Sequence, residues 1–350
     1  MTIDSDPHSP ALRTSSPAAV DAVTRATGAA LQADAGRALA ILSRVGADAF
    51  VGDDLAFRSS MLERFGPNGS EHGLVDPVEP FARGMLATYR AYWRAALAKP
   101  DERPGEEANL LRSLRRLTGR EDVAEFDAME PIVTECLGNA GYYCLQGLTG
   151  PLRELMLWTR QEMQSYKVVL PDGEHTTRVF LLDSFASLGW SDFATCGRRG
   201  TGGWATGDAL FAVVPRYSSL DSEEFQVSFL GHETQHFADL ARFAPMPQWE
   251  LEYRAKLVEL SKAQLTRARV LRKLGEDQGD DPASPHAYAN KRVLAALARR
   301  LRLPEGSRLD KVDVDRLQME AASELREDTW RRRATRPACG AAVRDVQADQ

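Results

Sequence analysis

The residues best suited to chemistry lie together in Phe229-Leu230-Gly231-His232-Glu233-Thr234-Gln235-His236-Phe237. On a helix, His232 and His236 stand one turn apart and point the same way. Two imidazoles so spaced can hold one zinc ion. Glu233 lies about 100° further around the helix, within reach of a water bound to that ion. Zinc lowers the pKa of such a water to about 7, and a carboxylate can then take its proton. The pattern predicts one Zn2+ per chain, ligated by His232 and His236, with Glu233 as the base of a hydrolysis.

The surroundings of the motif suit a buried helix. Val227, Leu230, Thr234, Phe237, Ala241 and Ala244 recur at steps of three and four, nearly opposite the histidines. Phe225, Phe229 and Phe243 flank the histidine face. A helix apolar on both sides is a buried one. Imidazoles in its middle need partners, because unsatisfied polar groups are costly there. A metal satisfies both at once. The competing reading is a pair of core histidines hydrogen-bonded to backbone or carboxylates.

This segment resembles the zincin metallopeptidases, whose extended motif places uncharged residues around His-Glu-x-x-His and a hydrophobic residue after it. Gly231, Thr234, Gln235 and Phe237 fit that form, and the resemblance covers about residues 166–262. It implies a β-sheet ahead of the active-site helix, with an edge strand lining a substrate cleft, and peptide or protein as substrate. A metzincin needs a further His or Asp six residues after the second histidine, where this chain has Arg242. The gluzincin form is the better match, and it takes its third ligand from a Glu on the next helix. Glu250, Glu252 and Glu259 are the candidates. The first helix runs on for about 8 residues past His236, roughly 12 Å at 1.5 Å per residue. A returning helix draws level with the metal after a similar rise, which favours Glu252, then Glu259, over Glu250. Many gluzincins carry an Asp four residues after the ligand, and here that position is Lys256.

Asp239, one turn beyond His236, is a candidate to accept the second N–H of a ligand imidazole. A group stabilising an oxyanion is also expected. His286 and Tyr253 are the leading candidates, with Arg254 and Tyr288 beside them. His175 reads as a surface residue at a turn. Gly197-Arg198-Arg199-Gly200-Thr201-Gly202-Gly203 lacks the Gly-Lys-Ser/Thr ending of a phosphate-binding loop and reads as a loop or wide hairpin turn.

The elements that must position these residues follow from periodicity and breakers. Helical spacing runs from Ala18 to about Val45, with Gly46 as a C-cap. A second helix is expected from Asp76 to Ala98, with Phe81, Met85, Tyr89 and Trp93 on one face. Further helices are expected at Leu110–Leu117 and Pro151–Met163. Two β-rich runs flank Pro171-Asp172-Gly173 and predict a hairpin over 166–182. A strand at 209–214 precedes the motif helix, which Asp221 and Glu224 open as a capping box. After the Ala244–Pro247 turn come helices at Gln248–Leu274, with Gly275 as C-cap, at His286–Leu301 and at Asp310–Arg333.

The predicted fold is α+β and predominantly helical, a small antiparallel or mixed sheet followed by the motif helix and further helices. The predicted organisation is a disordered tail (1–17), a helical region (18–165), a zincin-like region (166–333) and a loose tail (334–350). The chain of 350 residues carries a net charge of −6, spread along its length, which gives no reason to expect nucleic acid. No stretch approaches the roughly 18 apolar residues of a membrane span, and no signal peptide is seen, so a cytoplasmic location is expected. Cys136, Cys144, Cys196 and Cys339 form no Cys-x-x-Cys pair and read as free thiols. Two functions compete: a zinc-dependent metallopeptidase, and a non-catalytic helical interaction protein whose metal site is structural, lost or coincidental.

Overall fold

The structure, a computed structural model, describes residues 14–67, 69, 73–243, 245–304 and 308–335. The expected tails therefore lie mostly outside the described residues, as does Cys339. The chain forms two compact units, Met1–Gln161 with Leu182–Thr201, and Glu162–Leu181 with Gly202–Gln350.

In the first unit, α1 (Pro17–Leu31) starts where Ser16 Oγ accepts the Ala19 amide at 3.2 Å. The single helix expected to Val45 is broken. Ala33 takes φ +58°, and Asp34 caps a new helix, α2 (Ala35–Ser43), through the Arg37 amide at 2.8 Å. Gly46 lies beyond its end. Then come α3 (Asp53–Phe65), α4 (Pro80–Ala98), α5 (Arg103–Thr118) and α6 (Phe126–Asn139). The predicted inward face of α4 is correct: Met85, Tyr89 and Trp93 are buried and Phe81 partly so. Helices α3 and α6 were not foreseen in the sequence.

The helix expected at Pro151–Met163 is instead part of a long strand. The strands are β1 (Tyr143–Thr149), β2 (Leu152–Leu170) and β3 (Gly173–Leu188). β1 and β2 pair antiparallel, from Tyr143 opposite Trp158 to Thr149 opposite Leu152. Short apolar runs such as Leu155-Met156-Leu157-Trp158 fit helix and strand equally, and here partnership with β1 decides. Helix α7 (Trp190–Ala194) follows Gly189, whose φ is +91°. A Cβ at Gly189 would collide with the Glu154 carboxyl group, so glycine is required there.

The second unit adds β4 (Gly203–Ala205) and β5 (Leu210–Val213), an antiparallel hairpin in a mixed five-stranded sheet ordered β1-β2-β3-β5-β4. The Gly-rich stretch thus leads into an edge strand. Ser222, not Asp221, caps the next helix, accepting the Phe225 amide at 3.3 Å. That helix begins as α8 (Glu223–Phe225), widens to a π-helical segment over Gln226–Gly231 and continues as α9 (His232–Phe243). Next are α10 (Gln248–Lys262), α11 (Arg267–Glu276), α12 (Pro285–Arg300) and α13 (Val314–Thr335). The expected helix to Leu274 is interrupted by a turn that Glu223 stabilises. Its carboxylate accepts the amides of Gln264 and Thr266 at 2.8 Å and of Leu265 at 2.9 Å. Gly275 accordingly sits inside α11. The core joins Val168, Val179 and Leu210 of the strands to Leu257, Val293 and Leu325 of the helices. Among the described residues, no helix is long and apolar enough to cross a membrane. Cys136, Cys144 and Cys196 are free thiols.

Candidate metal centre

All the candidate ligands fall in the second unit. The π-helical segment delivers the chain to His232, the first residue of α9, and π turns are frequent at functional sites. Phe225 and Phe229 are buried beneath this entry, with Tyr217 packed on both rings. Gly203 of β4 approaches so closely that a Cβ would strike the Phe229 ring. Thr234 is buried, its hydroxyl 3.1 Å from that of Thr177 on β3. The stripe opposite the histidines is buried at Val227, Leu230 and Thr234 but runs out at Ala241, which is exposed.

The two imidazoles face one another with ring centroids 4.9 Å apart. Their Nε2 atoms converge on one carboxylate. His232 Nε2 is 3.6 Å from Glu252 Oε2, and His236 Nε2 is 3.6 Å from Glu252 Oε1. One ligand atom from each of His232, His236 and Glu252 lies within 4.8 Å of the others, so this buried group can hold a metal ion. A tetrahedral ion with bonds of about 2.0–2.1 Å separates its ligands by about 3.4 Å, close to the 3.6 Å between each Nε2 and the Glu252 carboxylate. His232 Nδ1, His236 Nδ1 and Glu252 Oε2 are buried without an aligned hydrogen bond. The two Nδ1 atoms are on the far edges of the rings from Glu252, and Glu252 Oε2 has His286 Nδ1 at 2.9 Å and Lys256 Nζ at 3.2 Å. Charge favours a cation. Glu233, Glu252 and Glu259 bring three carboxylates near the histidines, with the ammonium of Lys256 beside them.

That imbalance governs the titration of the cluster. Burial opposes protonation of His232, but Glu259, Glu252 and Glu233 outweigh it and raise its proton affinity above the ordinary histidine value. Burial, followed by the charge on His232, pushes His236 down to about 3. Glu233 is raised, chiefly by burial and then by Glu252 and Glu259. Glu252 is held well below the usual carboxylate range despite burial, by His286, His232 and Lys256.

The other candidates separate clearly. Glu250 pairs with Arg332 at 2.6 Å, away from the histidines. Asp239 does not reach an imidazole. It accepts from Arg254 Nε at 2.8 Å and from Gln235 Nε2 at 2.8 Å, because buried Arg254 outcompetes a neutral ring for its charge. Tyr253 turns the other way, donating its hydroxyl to Glu324 at 2.9 Å, which removes it as an oxyanion stabiliser. Arg254 is locked between Asp239, Asp328 and Thr329. Tyr288 packs on Trp249 beneath Arg292. His286 does reach the centre, with Nδ1 2.9 Å from Glu252 Oε2 and its side chain 65% exposed. His175 is half-buried rather than exposed, its Nε2 2.7 Å from Arg242.

Sequence reasoning missed the environment of Glu252. Lys256 Nζ lies 3.2 Å from Glu252 Oε2, and Glu259 Oε2 lies 3.5 Å from His232 Nδ1. The available signal was the spacing 252, 256, 259, which puts all three on one face of α10. Tyr217 was also missed. It donates to Gly202 O at 2.8 Å, and burial and then Glu233 raise its pKa. Comparison with protein families, curated proteins and solved structures gives no match to this chain.

Proposed function

We propose that the chain is a zinc-dependent hydrolase of gluzincin type that cleaves a peptide bond in a peptide or protein. The observation that carries this reading is the convergence of His232 Nε2, His236 Nε2 and the Glu252 carboxylate, with Glu233 next to the first of them in sequence. These three side chains would hold the ion. When bound, zinc would supply Lewis acidity, activating a water and polarising the scissile carbonyl.

The remaining chemistry falls to the chain's own residues. Glu233 accepts a proton as the water oxygen attacks the carbonyl carbon. It returns that proton to the nitrogen as the C–N bond breaks. Its burial and the nearby carboxylates raise its proton affinity, which suits a group that must both take and give a proton near neutral pH. His286, exposed at the edge of the cluster, is the group placed to donate to the developing oxyanion.

Lys256 favours a second reading. Its ammonium beside Glu252 partly satisfies that carboxylate without an ion. The cluster would then be a buried ionic contact between α9 and α10 in a non-catalytic interaction protein. Elemental analysis of protein purified without added metal separates the two. The hydrolase reading expects about one zinc per chain, abolished by His232→Ala with His236→Ala. Absence of zinc, with no binding on titration, would refute it. Once hydrolysis of casein or a peptide library is found, Glu233→Gln should retain zinc and lose roughly 10²–10⁴ in rate. Equal activity in that variant would refute the role of Glu233.

A further inference from the structure

We propose that Glu259 is a positioning residue, holding the Nδ1 side of His232 so that Nε2 is presented to the ion. This rests on the metal-dependent reading above. Glu259 Oε2 lies 3.5 Å from His232 Nδ1, while the opposite nitrogen, Nε2, is the one 3.6 Å from Glu252 Oε2. One helix therefore addresses both edges of the same imidazole. The spacing makes this possible: Glu252 and Glu259 are two turns apart on one face of α10.

A neutral imidazole has two tautomers, and only the nitrogen without hydrogen can bind a metal. A carboxylate at Nδ1 keeps the proton there. It also restrains the ring and makes Nε2 a better donor. Glu259 is suited to the task, since its side chain is only 14% exposed and water competes weakly for it. Lys256, between the two glutamates on the same face, supplies a counter-charge. Asp239 stands where sequence spacing would put this partner, but Arg254 and Gln235 occupy it. Neither Nδ1 has an aligned hydrogen bond, but the two histidines are unequal, because His232 Nδ1 faces the Glu259 carboxylate at 3.5 Å whereas Glu252 meets His236 from its Nε2 side.

The test compares wild type with Glu259→Leu and Glu259→Gln. Zinc affinity is measured by competition with a chromophoric chelator. The His232 tautomer is read from imidazole nitrogen NMR of zinc-free protein at a pH where the rings are neutral. In wild type His232 should carry its proton on Nδ1. Glu259→Leu should lose that preference and bind zinc about 10–100-fold more weakly. Glu259→Gln, whose amide oxygen still accepts from Nδ1–H, should keep the tautomer and recover part of the affinity. It also serves as the folded variant if Glu259→Leu does not fold.

Three results overturn the proposal. One is wild-type zinc affinity in both variants, and another is a His232 proton on Nε2 in wild type. The third is a cobalt-substituted Glu259→Gln protein whose visible spectrum reports a lost ligand, since Glu259 would then be bound to the ion itself. A wild type that binds no zinc at all refutes the proposed function. The tautomer in that same protein still decides whether Glu259 holds His232.

Discussion

Glu154 in the first unit allows a prediction whose size follows from its surroundings. Its carboxyl group is 5% exposed and accepts the amides of Trp190 at 2.9 Å and Leu155 at 3.0 Å. Burial nonetheless dominates, and its pKa is raised to about 7 from an ordinary 4.5. The folded state therefore binds this proton more tightly than the unfolded chain does. For a carboxyl group raised in this way, the stabilisation is fully present below the unfolded value. It is lost as pH rises through the folded value. The shift is about 2.5 units, which at 1.36 kcal/mol per unit corresponds to about 3 kcal/mol between pH 4.5 and 7. Glu154→Gln keeps the size of the side chain and an oxygen for both amides, which one Oε1 accepts, but cannot ionise. Urea unfolding at a series of pH values, followed by a probe in the first unit, measures the effect. Wild type should lose up to about 3 kcal/mol across this window relative to Glu154→Gln. Parallel pH profiles for the two proteins would refute the reasoning.

Other outcomes concern the second unit. Glu252→Ala should abolish tight zinc binding while Glu250→Ala leaves it intact, as calorimetric titration would show; the reverse order would reject the ligand assignment. Zinc at about 100 times its dissociation constant should stabilise the chain by about 2.7 kcal/mol, and a chelator should remove that gain in a thermal melt. Tyr253→Phe should lower stability by about 1 kcal/mol, with no loss of hydrolytic rate, because its hydroxyl serves Glu324. Glu223→Ala should destabilise by roughly 1–3 kcal/mol through the amides of residues 264–266, checked by denaturant unfolding.

Spacing along a single helix was readable, since His232 and His236 meet through helical geometry alone. Glu252 was reachable by counting helical rise across one turn. The predominantly helical α+β class and the hairpin at Pro171-Asp172-Gly173 followed from composition and breakers. What was not readable depends on partners distant in the chain. β2 is a strand because β1 lies beside it, while its apolar run alone fits either state. The break after Lys262 has no glycine or proline to announce it and relies on Glu223, about 40 residues earlier. Asp239 and Glu259 have similar local claims on an imidazole. Arg254, brought from α10, decides between them.

The wide turn over Gln226–Gly231 has a consequence for how the chain tolerates change in length. A π turn closes its hydrogen bonds across one residue more than an α turn, so the segment holds backbone that an ordinary helix would not need. Removing one residue there would let the helix tighten to α geometry, and because five α residues turn the chain about as far as six π residues, the part before the segment would keep its direction relative to His232. Phe225 would keep its place against Tyr217, and the histidine pair its spacing. A one-residue deletion between Gln226 and Gly231 should thus be borne far better than the same deletion within α9, where each lost residue swings one part of the helix by about 100° against the other.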